Sequence, residues 1–195
     1  MEIDAIKKKV LEDVDPETRR KKKKEMRIQR LIVTLQFLGI AAVVILIFYI
    51  LMGISTVDGN SMYPTLHDKD IVIYNRRCKE YKAGDIVAIA RPSGEDYVKR
   101  VIAVAGDMVN IQDGKVYVNG EEVRYDGEIG TTEKKSSKIT YPLRVGDKEV
   151  FVLGDNRNNS EDSRYADIGM VRKRYIVGKI WFTCSPFEKL RFTKG

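Results

Sequence analysis

The chain has 195 residues, with 35 Lys or Arg against 28 Asp or Glu, a net charge of +7, one histidine and two cysteines. Residues 1–30 hold 11 of the basic and seven of the acidic side chains. The excess therefore lies mainly in an N-terminal tail suited to anionic lipid headgroups, and nucleic acid is not a predicted partner. A lone histidine and no Cys-x-x-Cys pair leave no metal site, and no cofactor is implied.

In chain order, Ile3, Ile6, Val10 and Val14 fit one helical face, which Asp15-Pro16 interrupts. The tail reads as a short surface helix or a frayed, solvated segment. Arg19, Arg20, Lys21 to Lys24, Arg27 and Arg30 precede an uncharged apolar run from Leu31 to Ile54. Its 24 residues reach about 36 Å as a helix, enough for a hydrocarbon core of about 30 Å. It exceeds the roughly 7–15 apolar residues of a signal peptide, and no Ala-x-Ala pattern follows, so it is predicted to stay as an anchor. Basic residues on its N-terminal side only put that end in the cytoplasm. The expected organisation is a basic cytoplasmic tail (1–30), one transmembrane helix (31–54) and an extracytoplasmic domain (55–195) in the cell membrane.

Just beyond the run comes Gly59-Asn60-Ser61-Met62-Tyr63-Pro64-Thr65-Leu66. Gly59 and Pro64 restrict the backbone on either side, which makes Ser61 a candidate nucleophile working at the lipid surface. His67 follows, next to Asp68, and is read as a loop residue. Short β-branched segments come next: 70–74, 84–90, 97–105, 109–112, 115–118, 149–153 and 175–183. Asp113-Gly114 is a two-residue hairpin signal. No long helix is predicted after the anchor, so the domain is expected to be mainly β. Residues 121–147 turn polar and read as an insertion, either an exposed loop or a small subdomain. Cys78 and Cys184 are either two free thiols or one bridge.

The segment Tyr97-Val98-Lys99-Arg100-Val101-Ile102-Ala103-Val104-Ala105 is mainly apolar on both faces, as in a strand covered on both sides, with one cation on each. Burial disfavours an ammonium, so Lys99 could be a neutral amine able to accept a serine proton. Arg100 stays charged and needs a carboxylate. The polar run Gly154-Asp155-Asn156-Arg157-Asn158-Asn159-Ser160-Glu161-Asp162-Ser163-Arg164 is either a solvated turn or an ordered network supporting a site, with Asp155 among its acids. In it, Ser160 could orient an amine, and Asp162 and Arg164 could meet each other or Arg100. Gly59 to Tyr63 lacks the last glycine of a Gly-x-Ser-x-Gly elbow, and no His-Glu-x-x-His or phosphate-binding glycine loop occurs.

Taken together, the serine turn, the lysine strand followed by Gly106-Asp107, and the Gly154–Arg164 run resemble the bacterial type I signal peptidases. The single anchor and small domain are similar to the Gram-positive forms. The resemblance implies a Ser-Lys dyad endopeptidase on the β fold shared with self-cleaving repressor proteases, carried on one N-terminal transmembrane helix. Its substrates would be secretory preproteins with small residues before the cut. It also implies Ser61 as nucleophile, with its N–H in the oxyanion hole, and Lys99 as general base. Ser160 would orient the lysine, and Asp162 would pair with Arg164 or Arg100. The eukaryotic-type relatives have histidine where this chain has Lys99. Gly59 departs from members with a serine there as second oxyanion donor. Met62, Ile71, Ile73 and Ile86 are candidate walls of the substrate pocket, with core packing the equal reading for each. A self-cleaving repressor is the enzymatic alternative, opposed by the anchor, and an inactive anchored peptide-binding domain is the other.

Overall fold

A computed structural model describes residues 2–14, 16–90, 94, 96–184 and 191–192. The chain divides into two compact units, 1–49 and 50–195.

The first unit is helical. Helix α1 spans Glu2–Val14 and α2 spans Pro16–Leu51; Asp15 between them and the Val14 side chain lie outside what is described. The spacing of Ile3, Ile6 and Val10 does put them on a helix, where all three are exposed. Proline is well suited to the first position of α2, since its missing N–H would have had no helical partner, and Glu17 adds a favourable charge to the first turn. The basic stretch continues the helix because Lys, Arg, Glu, Met and Gln all favour it. Thr34 satisfies its hydroxyl by donating to Arg30 O at 2.8 Å. From Leu31 onward apolar side chains are exposed all round, Phe37 by 74% and Ile45 by 68%. That distribution suits a helix surrounded by lipid. Among the described residues it is the one helix long and apolar enough to cross a membrane.

The helix stops at Leu51, three residues short of the Ile54 boundary expected from hydropathy. Met52–Thr56 instead forms strand β1 and pairs antiparallel with β2, Ile71–Asn75. Hydropathy cannot separate these residues from the helix, because a strand bearing Met52 and Ile54 is as apolar as a helical turn. Gly53 is required there because the Tyr74 ring occupies the place of its Cβ.

The second unit is mainly β. Further strands are β3 (Ile86–Ile89), β4 (Tyr97–Val104), β5 (Met108–Gln112), β6 (Lys115–Val118), β7 (Glu121–Glu122), β8 (Leu143–Arg144), β9 (Glu149–Leu153), β10 (Val171–Arg172), β11 (Ile176–Cys184) and β12 (Arg191–Phe192). The larger sheet runs β1-β2-β11-β3-β4-β9-β10, with β12 also on β11; the smaller runs β7-β6-β5-β8. The β5–β6 turn holds Asp113 and Gly114 at φ of 53° and 73°, the left-handed pair that a two-residue hairpin needs. Past α2, the helical structure among the described residues is one 3-10 turn, Lys173–Tyr175. The polar stretch 121–147 contributes β7 and β8 to the two edges of the smaller sheet.

The two faces of β3 and β4 are both covered, as their sequences suggest. Ile86 and Ala88 join Val57, Met62, Leu66, Val72 and Ile180 on one side. Val87 and Ile89 join Val101, Val150, Val152 and Ile176 on the other. Ile102, Ala103, Phe151 and Leu153 pack against Val109, Ile111 and Val116 of the smaller sheet. This places Lys99 and Arg100 in mid-strand, 3% and 4% exposed.

Candidate active site

Ser61 sits in a turn rather than a regular element. Gly59 enters it at φ +84°, where a residue with a Cβ is strained, and its N–H donates to Asp68 Oδ1 at 2.8 Å. Met62 and Leu66 anchor the turn in the core, linked by Leu66 N–H to Met62 O at 2.9 Å. Thr65 ties it from the side, its hydroxyl donating to Asp155 Oδ2 at 2.5 Å. Asn156 N–H donates to Ser61 O at 3.0 Å, and its amide to Asn60 O at 3.1 Å. The nucleophile candidate is thus held within its own turn and from the Gly154–Arg164 loop.

Lys99 reaches this turn from β4. Its Nζ donates to Ser61 Oγ at 2.8 Å and to Val98 O at 3.0 Å, with the Tyr97 ring centroid 5.2 Å away. Lys99 as a whole is 3% exposed, its apolar stem enclosed by the core and its amine at the cleft. Ser61, Lys99 and Ser160 share a cleft of about 560 Å³, also lined by Asn60, Met62 and Tyr97. Asp58, Asp96 and Glu161 line it too, and Asp58 is paired with Lys69. The Ser160 hydroxyl is buried and makes no hydrogen bond among the described residues. A buried polar atom without a partner is uncommon and calls for an explanation. Gly154 is needed where these segments meet, since a Cβ there would collide with Ser160 and lie 2.5 Å from Ser61 O.

The arginines divide the carboxylates between them. Arg100 takes Asp155, through Nε to Oδ1 at 2.8 Å and Nη2 to Oδ2 at 2.7 Å, and donates to Gly84 O at 2.9 Å. Burial works against its charge, but the Asp155 contacts outweigh burial and its pKa ends above the ordinary value. Arg164 takes Asp162, through Nε to Oδ1 at 2.7 Å and Nη2 to Oδ2 at 2.8 Å. Asp162 Oδ2 also accepts from Gly154 N–H at 3.1 Å. Arg157 is held by Glu128 and Thr132; there burial prevails and lowers its pKa.

Comparison with known proteins places this geometry. Residues 28–184 match the family model described as signal peptidase, peptidase S26. The chain belongs to the signal peptidase family. A signal peptidase I of Bacillus amyloliquefaciens is 38% identical over 148 residues, covering 71% of this chain and 78% of the relative. Signal peptidase I S of Bacillus subtilis is 37% identical over 150 residues, covering 70% and 79%. A crystal structure of a signal peptidase I from Enterococcus faecalis is 29% identical and covers 51% of this chain and 96% of its own, at a TM-score of 0.43.

In this signal peptidase the candidates separate clearly. Ser61, Lys99 and Ser160 line one cleft, with Asp155, Asp162, Arg100 and Arg164 buried around it. Of the four apolar wall candidates, Met62 lines the cleft. Ile86 is core, 2% exposed, packed with Met62. Ile71 and Ile73 lie outside the lining: β2 turns Val72 and Tyr74 into that core, and alternation sends their neighbours to the opposite face. Tyr97 and Val98 are walls instead. His67 is a half-exposed loop residue whose ring meets Tyr63 at 5.3 Å. Cys78 and Cys184 do not bridge to one another. Thr65 and Asn156 lie within the two quoted motifs, and their roles follow only from contacts across the fold. Glu128 and Thr132 carry no sequence signal at all.

Proposed function

We propose that this membrane-anchored signal peptidase cleaves signal peptides from exported preproteins, with Ser61 as nucleophile and Lys99 as general base. The observation carrying the assignment is the 2.8 Å contact between Ser61 Oγ and the amine of Lys99, a residue 3% exposed. In the reactive form the neutral amine accepts the Ser61 proton as Oγ attacks the scissile carbonyl. The Ser61 N–H stabilises the oxyanion, and Gly59 offers no side chain as second donor. Lys99 then protonates the leaving amine, and an acyl-enzyme remains. The same amine next deprotonates a water, which releases the signal peptide and regenerates Ser61. Val98 O accepts one amine hydrogen, and the Ser160 hydroxyl, which has no partner among the described residues, is assigned a contact with the same amine. Supporting this, Asp162 and Arg164 pair beneath the Ser160 loop, while Asp155 links Arg100 to Thr65 of the serine turn.

A substrate lying extended in the cleft would present alternate side chains to one side. This agrees with a requirement for small residues at two positions before the cut. Only the neutral amine is active, so activity is lost as pH falls through the Lys99 pKa. That limb is expected well below the roughly 10.4 of a free lysine if the amine is desolvated in the reacting complex. The check is kcat/KM for preprotein cleavage against pH with detergent-solubilised enzyme. An acid limb near 10 would remove Lys99 as a buried base.

The basic run before the span supports a cytoplasmic N-terminus in contact with anionic lipid, and an extracytoplasmic catalytic domain with no role for nucleic acid. Protease added outside intact cells should then digest the β domain and spare the tail. Digestion of the tail with protection of the domain would reverse the orientation.

A further inference from the structure

The segment 127–132, within the polar stretch after β7, takes no part in the chemistry assigned above. It nevertheless runs directly along the loop that carries Ser160. Ile129 and Asn156 form a parallel bridge. Ile129 N–H donates to Asp155 O at 2.8 Å, and Arg157 N–H donates to Ile129 O at 2.9 Å. Gly127 and Gly130 lie close against other segments of the chain: a Cβ on the first would lie 2.8 Å from Thr65 Oγ1, and on the second 2.8 Å from the Asn158 amide. Between these glycines Glu128 Oε2 accepts from Arg157 Nη2 at 2.6 Å, and Thr132 Oγ1 accepts from Nη1 at 2.5 Å.

Arg157 is 1% exposed, so Glu128 is the paired carboxylate that lets its charge remain buried. From Arg157 the contacts lead back to the cleft. Its carbonyl accepts from Arg164 Nη2 at 2.8 Å, and the same nitrogen contacts Ser160 O at 3.4 Å and Asp162 Oδ2 at 2.8 Å. A displaced Arg157 would therefore move the Ser160 backbone, and with it the surroundings of the lysine amine.

We propose that Glu128 is a positioning residue for the cleavage reaction, acting through Arg157 on the loop that carries Ser160. The proposal rests on the Ser61–Lys99 reading above.

The test compares wild type, Glu128→Ala and Thr132→Val as full-length chains in detergent, with preprotein as substrate. The readouts are kcat, KM, the pH profile of kcat and the thermal unfolding midpoint. Misplacement of catalytic groups by about 1 Å costs about 100-fold. Glu128→Ala is therefore expected to lower kcat about 10- to 100-fold per folded molecule, with KM within about twofold. Thr132→Val, which keeps the side-chain shape, is expected to lower kcat several-fold. In both, the acid limb moves to higher pH, because a loosened loop lets water reach the ammonium. A lower unfolding midpoint with unchanged kcat and acid limb would make the segment merely structural and overturn the proposal. A rise in KM alone would also overturn it. If Glu128→Ala does not accumulate as folded protein, Thr132→Val carries the same comparison. A wild-type chain that cleaves no preprotein would instead defeat the underlying reading of the site.

Discussion

Ser61→Ala and Lys99→Met should each lower preprotein cleavage by on the order of 10⁴-fold or more, and the double substitution should be no worse than either alone. Groups that transfer one proton between them act as a unit, so removing the second member of a broken pair costs little more. Methionine at 99 keeps an apolar stem in β4 and deletes only the amine. Lys99→Arg should fail as well, since a guanidinium stays charged and cannot accept the Ser61 proton. The residual rate would come from the oxyanion hole and substrate binding. Single-turnover cleavage of a preprotein in detergent measures all four chains. Turnover near that of wild type in either single variant would end the dyad assignment, and independent, multiplying losses would show that the two residues do not act together.

Asp155→Ala should destabilise the β domain by about 3–5 kcal/mol, because it leaves the Arg100 guanidinium buried without a counter-ion. The two side chains are 1% and 5% exposed, and both carboxylate oxygens bond to the guanidinium. Against a typical total of about 5–15 kcal/mol this is a large fraction. The same carboxylate accepts from Thr65, so the serine turn loses its lateral tie and activity should fall ahead of stability. Replacing both partners with apolar residues of similar size, Arg100→Met with Asp155→Leu, should recover much of the stability, since no charge is then left buried. It should not recover activity, because Thr65 remains untethered. Denaturant unfolding of the full-length variants followed by circular dichroism measures the first effect. A change for Asp155→Ala within about 0.5 kcal/mol, the range of ordinary surface substitutions, would show the pair to be dispensable.

Features controlled by neighbouring residues could be read directly. Asp113-Gly114 announces its hairpin because two successive left-handed residues are cheap only for such types. The apolar character of residues 97–104 on both faces marks a covered strand, and so placed Lys99 in the interior. The length of the Leu31 run marks a helix able to span a membrane. Ser61, Lys99 and the Gly154–Arg164 loop are visible as types suited to one chemistry.

Their mutual arrangement is a different matter. The sequence alone leaves open which carboxylate answers Arg100, since a buried cation accepts any acid that the fold delivers. The tertiary structure pairs it with Asp155 and leaves Asp162 to Arg164. Hydropathy could not end α2 at Leu51, because the β2 ladder that captures Met52–Thr56 lies about twenty residues further along. Nor could it separate Met62, a core residue that also lines the cleft, from Ile86, which packs beside it but does not, when both are apolar. Glu128 and Thr132 look like ordinary members of a polar stretch until they meet Arg157. By itself, then, the sequence determined the long apolar helix, the β character and the candidate reacting groups, through rules that act over a few residues. The pairing of charges, the walls of the cleft and the support from 127–132 were decided only in the folded chain, where distant segments compete for the same buried partners.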